Sequence, residues 1–211
     1  MSEHGRPSLS LAALSSAVAL LAAAGCGQGA APPPPPLDPA AIAARAIAAL
    51  DANQSGALEA AEIAQSHGLR SGLSKIDANG DGILTAAEIE QRLRRYDEFP
   101  VANLPLGCVV WIDGRPLAEG DVRLVPEPFF GDSRQVVLGR SDEHGTVDFR
   151  AEGNDAFGVP QGLYRIEISK TDAAGNETLP ARYNTQTQLG QEVAFDRREI
   201  EGALRLELQS R

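Results

Sequence analysis

Two stretches decide how this chain is read: Asp51-Ala52-Asn53-Gln54-Ser55-Gly56-Ala57-Leu58-Glu59-Ala60-Ala61-Glu62, and Asp77-Ala78-Asn79-Gly80-Asp81-Gly82-Ile83-Leu84-Thr85-Ala86-Ala87-Glu88. They begin 26 residues apart and share one grammar. Oxygen-bearing groups stand at positions one, three, five, seven, nine and twelve, and glycine stands at position six. In the first stretch these are Asp51, Asn53, Ser55, the Ala57 carbonyl, Glu59 and Glu62. In the second they are Asp77, Asn79, Asp81, the Ile83 carbonyl, Thr85 and Glu88. A backbone that coils around an ion brings such positions together, and a twelfth-position glutamate reaches back with both oxygens. Hard oxygen ligands in this number suit Ca2+, which accepts neutral Asn and Ser in loose geometry. The spacing therefore implies two calcium sites. Asp81 replaces the neutral Ser55 of the first loop, so the second site is expected to bind more tightly.

Helical patterns flank both loops. Asp38 and Pro39 suit a cap and a first helical position, and Ile42, Ala46, Ile47 and Leu50 recur at helical spacing. Ile89, Leu93 and Tyr96 do the same after the second loop. The pattern resembles an EF-hand pair, with Leu58 and Leu84 at the eighth positions where such pairs join loop to loop. The resemblance implies calcium as the ligand. Only residues 63–76 lie between Glu62 and Asp77, with Gly68 and Gly72 among them, so the intervening helices must be short. Met1 is the only methionine, so there is no Met-rich groove, and the metal is expected to be mainly structural. A dockerin-like duplicated loop that docks another protein is the rival reading.

The first residues read as an export signal. Arg6 precedes an apolar run over residues 9–24, broken only by Ser10, Ser15 and Ser16. The run is short and Ala-rich for a membrane span and fits a signal core. It ends Leu21-Ala22-Ala23-Ala24-Gly25-Cys26, which resembles a bacterial lipobox. That resemblance implies cleavage before Cys26 and lipidation of its thiol, with a membrane as partner. An ordinary secretory signal cut after Ala24 or nearby is the alternative. Five prolines, Pro32 to Pro36, follow as a stiff spacer or a plain linker. With Cys26 lipidated, Cys108 has no disulfide partner and is expected to be a buried core residue.

Beyond residue 103 the period falls towards two. Strands are expected over 106–112, 121–125, 135–139, 146–149, 164–169, 191–195 and 203–208. Seven short strands with regular turns suggest a small β-sandwich. Five phrases support it: residues 113–117, 122–127, 141–149, 160–170 and 179–184. In order they resemble the carboxypeptidase regulatory-like, or transthyretin-like, domain of small planctomycete-type lipoproteins. That family implies no catalytic residues.

The expected fold is thus α+β and multidomain. Residues 1–25 form a lipoprotein-type signal peptide, 26–37 a Pro-rich tether, 38–99 a compact helical EF-hand pair, and 104–211 an all-β transthyretin-like sandwich. A net charge of -10 without a basic stripe argues against nucleic acid as a partner and suits either bound cations or a well-solvated surface. No nucleophile motif, HExxH or phosphate loop occurs, and His4, His67 and His144 have no catalytic companions in the sequence. Trp111, Phe129, Phe130 and Tyr183 suit core or edge cover better than a binding surface. The expected function is non-catalytic binding or scaffolding at the cell envelope, with calcium, the membrane and an envelope protein as partners. The alternatives are the dockerin-like docking module and an accessory subunit of an envelope hydrolase.

Overall fold

A computed structural model describes residues 36–99, 103–151, 157–197 and 203–211, together with Met1. The signal sequence, Cys26 and most of the tether lie outside the described residues.

Helix α1 (Pro39–Leu50) is started by Asp38, whose Oδ1 accepts from the Ala41 N–H at 3.0 Å, with Pro39 fixing the first turn. Then follow β1 (Ala57–Leu58), the short α2 (Ala60–Ile63), α3 (His67–Ile76), β2 (Leu84–Thr85) and α4 (Ala86–Glu98). The β region consists of β3 (Cys108–Ile112), β4 (Arg115–Pro116), β5 (Asp121–Pro126), β6 (Val137–Ser141), β7 (Thr146–Ala151), β8 (Gly162–Ser169), β9 (Leu189–Val193) and β10 (Leu204–Leu208). Short 3-10 turns at Pro128–Ser133 and Ala181–Tyr183 interrupt it. The seven expected strands form, each displaced by two residues or fewer at its ends.

The expected fold class is overturned. The molecule is mostly β, a single curled antiparallel sheet shaped like a half-barrel, with a few short helices against it. The order is β10-β3-β7-β6-β5-β8-β9, with β4 beside β3, and among the described residues only the β10–β3 pairing is parallel. Strand pattern alone does not separate one curled sheet from two stacked ones. Both place alternate residues inward, and here those residues line the inside of one curl: Cys108, Val110, Val122, Leu124, Val147, Phe149, Ile166, Ile168, Leu206 and Leu208. The expected transthyretin-like sandwich of two sheets is therefore not what these strands build.

Nor is a free-standing helical EF-hand pair evident. The helices complete their core with sheet-side residues: Ile42, Leu58, Leu69, Leu84, Ile89 and Leu93 cluster with Phe129, Phe130, Leu163 and Ala194. The helix ends are also finished by the β region. Glu127 Oε1 accepts from the Gly68 N–H at 2.7 Å, satisfying a donor in the first turn of α3. Gln161 Nε2 donates to the Tyr96 and Phe99 carbonyls at 2.9 and 2.8 Å, closing α4. Two glycines let α3 approach so closely. A Cβ on Gly68 would meet Glu127 Cγ and Leu163 Cβ at 2.9 Å, and one on Gly190 would strike the His67 backbone. These sheet-side partners lie tens of residues away in sequence, so amphipathic spacing within the helices gives no sign of them.

Candidate functional site

The two loops lie side by side. Ala57 pairs with Thr85 and Leu58 with Leu84 in a two-residue antiparallel ladder, with both leucines fully buried beneath it. Each loop leaves a helix at an aspartate. Asp51 closes α1 and Asp77 closes α3, their N–H groups donating to Ile47 O and Leu73 O at 2.9 Å. Gly56 and Gly82 have φ of 89° and 79°, the left-handed backbone in which a Cβ would be strained.

In the first loop Asp51 faces inward, its Oδ1 accepting from the Ser55 N–H at 3.0 Å and its Oδ2 from the Gly56 N–H at 2.8 Å. Asn53 Oδ1 accepts from the same Ser55 N–H at 2.9 Å, and Asn53 Nδ2 donates to Glu59 Oε2 at 2.7 Å. Ser55 Oγ donates to the Ala57 carbonyl at 3.0 Å. Glu62 reaches back across the loop, where Oε1 accepts from the Ala52 N–H at 2.8 Å and Oε2 from the Glu59 N–H at 3.0 Å.

The second loop repeats the scheme. Asp77 accepts from the Gly80 and Gly82 N–H groups at 2.7 and 2.9 Å. Asn79 Oδ1 accepts from the Asp81 N–H, and Asn79 Nδ2 donates to Asp81 Oδ2, both at 2.9 Å. Asp81 Oδ1 accepts from the Ile83 N–H at 2.8 Å. Thr85 caps α4 reciprocally with Glu88: Glu88 Oε2 accepts from the Thr85 N–H at 2.9 Å, and Thr85 Oγ1 accepts from the Glu88 N–H at 3.3 Å. Ile83 is exposed, and its hydrocarbon side chain has no ligand atom, so only its carbonyl can serve.

Hydrogen bonds thus bring Glu62 back onto the start of the first loop, whereas in the second they tie Asp77, Asn79 and Asp81 into the loop and join Glu88 to Thr85. Among the described residues, however, no three His, Cys, Asp or Glu side chains converge as a ready-made metal cluster. The acidic oxygens here are largely engaged by loop N–H groups, and the remaining ligand positions carry amides, hydroxyls and carbonyls. The donor set fits a hard cation, since every contributing atom is oxygen. Glu88 adds a sharper sign. Its Oε1 is buried with no hydrogen-bond partner, although its Oε2 has two from Thr85. A buried carboxylate oxygen left bare is costly, and a cation beside it removes that cost.

One cluster went unread in the sequence. Arg92, one turn beyond Glu88, donates from Nε to Glu192 Oε1 at 2.6 Å and from Nη1 and Nη2 to Asp196 at 2.9 and 2.7 Å. Tyr96 Oη donates to Glu192 Oε1 at 2.8 Å. Burial opposes the Arg92 charge, but the Asp196 and Glu192 carboxylates outweigh it and raise its pKa. The Arg92 hydrogen bonds hold the Asp196 carboxyl below its usual range. No local motif marks these residues, because the partners are separated by about a hundred positions.

Most of the other residues named from the sequence are covered. Phe129, Phe130 and Tyr183 are buried, and Trp111 is half-buried under the Arg205 guanidinium at 4.7 Å. Cys108 is buried, and burial pushes its thiol up to about 12. His67 opens α3, its pKa lowered by burial and by nearby Arg70, while His144 sits in an exposed turn. No protein-family model matches the chain, and no curated protein matches it either.

Proposed function

We propose that this chain is a non-catalytic calcium-binding protein of the cell envelope, exported and held at a membrane by a lipid on Cys26. Each of the two loops takes one Ca2+. The ions hold the inter-helix loops in shape and so steady the helices against the curled sheet, which serves as a binding or scaffolding surface. The observation that carries the reading is Glu88, at the twelfth position of the second loop. Its Oε1 is buried and bare, while its Oε2 is engaged by Thr85. The twofold repetition of the ligand grammar, with Leu58 and Leu84 joining the loops, supports it further. The lipid anchor rests on the residues around Cys26 alone.

The engagement of α3 and α4 with the sheet favours a structural metal over the dockerin-like reading. Leu69, Ile89 and Leu93 are spent on the shared core rather than left facing outward for a partner. Titration calorimetry with Ca2+ tests the assignment. The wild-type chain should give two sites, and Glu62→Gln with Glu88→Gln should remove most of the heat. An unchanged titration would sink the metal assignment. Cys26→Ser should release the protein from the membrane fraction, and continued fractionation with membranes would remove the anchor.

A further inference from the structure

The two terminal strands of the sheet are finished differently. β9 is covered by α3, which packs across it through Gly190. β10 has β3 on one side and, among the described residues, no strand on the other.

The hydrogen bonds of β10 fix which groups face that open side. The Leu204 N–H donates to the Gly107 carbonyl at 2.8 Å, and the Leu208 carbonyl accepts from the Asp113 N–H at 3.0 Å. Alternation along a strand then turns the N–H and C=O of Arg205 and Glu207 outward. Beyond Glu207 the edge is closed: the Gln209 N–H donates to Tyr183 Oη at 2.8 Å, and Arg182 Nη2 donates to the Gln209 carbonyl at 2.7 Å. Two outward-facing residues remain. They carry opposite charges, and their side chains lie more than half exposed on one face of the sheet.

We infer that β10 is a self-pairing edge, through which a second copy of this chain joins antiparallel about a two-fold axis at Leu206. Centred there, Arg205 of one copy stands opposite Glu207 of the other, twice. These are also the residues whose backbone groups point outward, so each Arg205–Glu207 pair exchanges both of its backbone hydrogen bonds. Within each chain Arg205 Nε already donates to Glu207 Oε1 at 2.6 Å, so two copies bring four alternating charges together on one face. Moving the axis to Arg205 or to Glu207 sets like charges against each other, which specifies the register. Charges on an edge strand ordinarily prevent pairing. Here they are complementary under the symmetry of a homodimer, which is an isologous contact.

Sedimentation equilibrium of the full chain over a range of concentrations tests this. The wild type should pass from monomer to dimer as concentration rises. Arg205→Glu alone and Glu207→Arg alone should each stay monomeric, because each opposes like charges. An equimolar mixture of the two variants should recover the wild-type dimer fraction, because every cross-chain pair is then complementary. A wild type that remains monomeric throughout overturns the inference. So do single variants that associate like the wild type, or a mixture that does not recover. Circular dichroism checks that the variants fold. Should a reversal unfold the chain, Glu207→Gln keeps the side-chain shape and must still weaken association, and unchanged association overturns the inference.

Discussion

Arg92 on α4 and Glu192 on β9 meet at 2.6 Å with both side chains almost wholly out of water. The guanidinium spends its remaining fork on Asp196. This contact ties the exit helix of the second loop to the sheet through charge, beside the apolar core and the neutral-backbone contacts of Glu127 and Gln161. A buried pair is weak as a source of net stability, but removing one member leaves the other charge stranded. Arg92→Met should therefore cost about 3–5 kcal/mol. Arg92→Met with Glu192→Leu should recover part of it, since the fully buried Glu192 charge is then no longer stranded, while Asp196, which keeps some contact with water, still loses its partner. Urea midpoints with an unchanged slope measure both. A double variant no more stable than the single one would show that the cluster does not act as a pair.

Acid titrates this junction in two opposed directions. Asp196 has a lowered pKa in the folded chain, set first by the Arg92 hydrogen bonds. Its contribution is present above the unfolded carboxylate value of about 3.9 and is lost as pH falls through the lower folded value. Glu127 is the reverse. Burial raises its pKa despite the Gly68 N–H and the Ser66 hydroxyl, so its contribution is full at low pH and is lost as pH rises through the raised value. Glu127→Gln should flatten the second slope and leave the first. Melting temperatures across pH check this, and an unchanged slope above the ordinary glutamate range would contradict the assignment.

The fit of α3 to the sheet is steric and has no slack. A Cβ at Gly68 would meet Glu127 Cγ and Leu163 Cβ at 2.9 Å, and Leu163 sits within a strand paired on both sides. Overpacking of this kind costs about 1–3 kcal/mol. Gly68→Ala should lower the denaturation midpoint although alanine is the better helix former. A midpoint raised by the substitution would show that the helix, not its seat, limits stability there.

Gly68 and Gly190 act through contacts that are distant in sequence. The loop glycines Gly56 and Gly82, the capping at Asp38 and the alternation of every major strand are local, so the two loops and the strand positions are legible in the sequence. In the sequence Gly68 implies only that the intervening helices are short, and Gly190 carries no signal. They are close-approach points, and only the partner across the gap reveals that. Likewise Ile89, Leu93 and Tyr96 announced a buried face but not what buries it. The answer, Phe129, Phe130 and Leu163 together with Glu192, comes from the other half of the chain. The expectation of a free-standing helical unit and a two-sheet sandwich failed for that reason. Local periodicity fixes which residues turn inward, while the count of sheets and the ownership of a core are long-range properties.

The thiol of Cys108 offers a clean probe of global opening. It lies inside the curl on β3, and burial pushes its pKa up to about 12. Thiolate is the reactive form, so the folded chain should resist an aromatic disulfide reagent near neutral pH. Its reaction should follow the fraction unfolded through a urea titration rather than precede it. With Cys26→Ser, so that Cys108 is the one thiol left, a fast reaction with the folded chain would mean that the β10–β3 end of the sheet opens locally.

Calcium should stabilise the whole molecule in one step, because the helices and the sheet share buried side chains. With the ion at about 100 times its dissociation constant, one site adds about 2.7 kcal/mol. The gain should appear as a single melting transition moved upward, followed equally by helical circular dichroism and by Trp111 fluorescence. Trp111 sits on β3 beneath Arg205, far along the chain from either loop, and so reports the sheet. Glu88→Gln should remove more of the shift than Glu62→Gln, since Glu88 leaves a buried oxygen bare and the second loop adds Asp81. Chelator should return the wild type to the midpoint of the variant that combines Glu62→Gln with Glu88→Gln. Two separate transitions, with only the helical signal responding to calcium, would mean that the shared core does not couple the loops to the sheet.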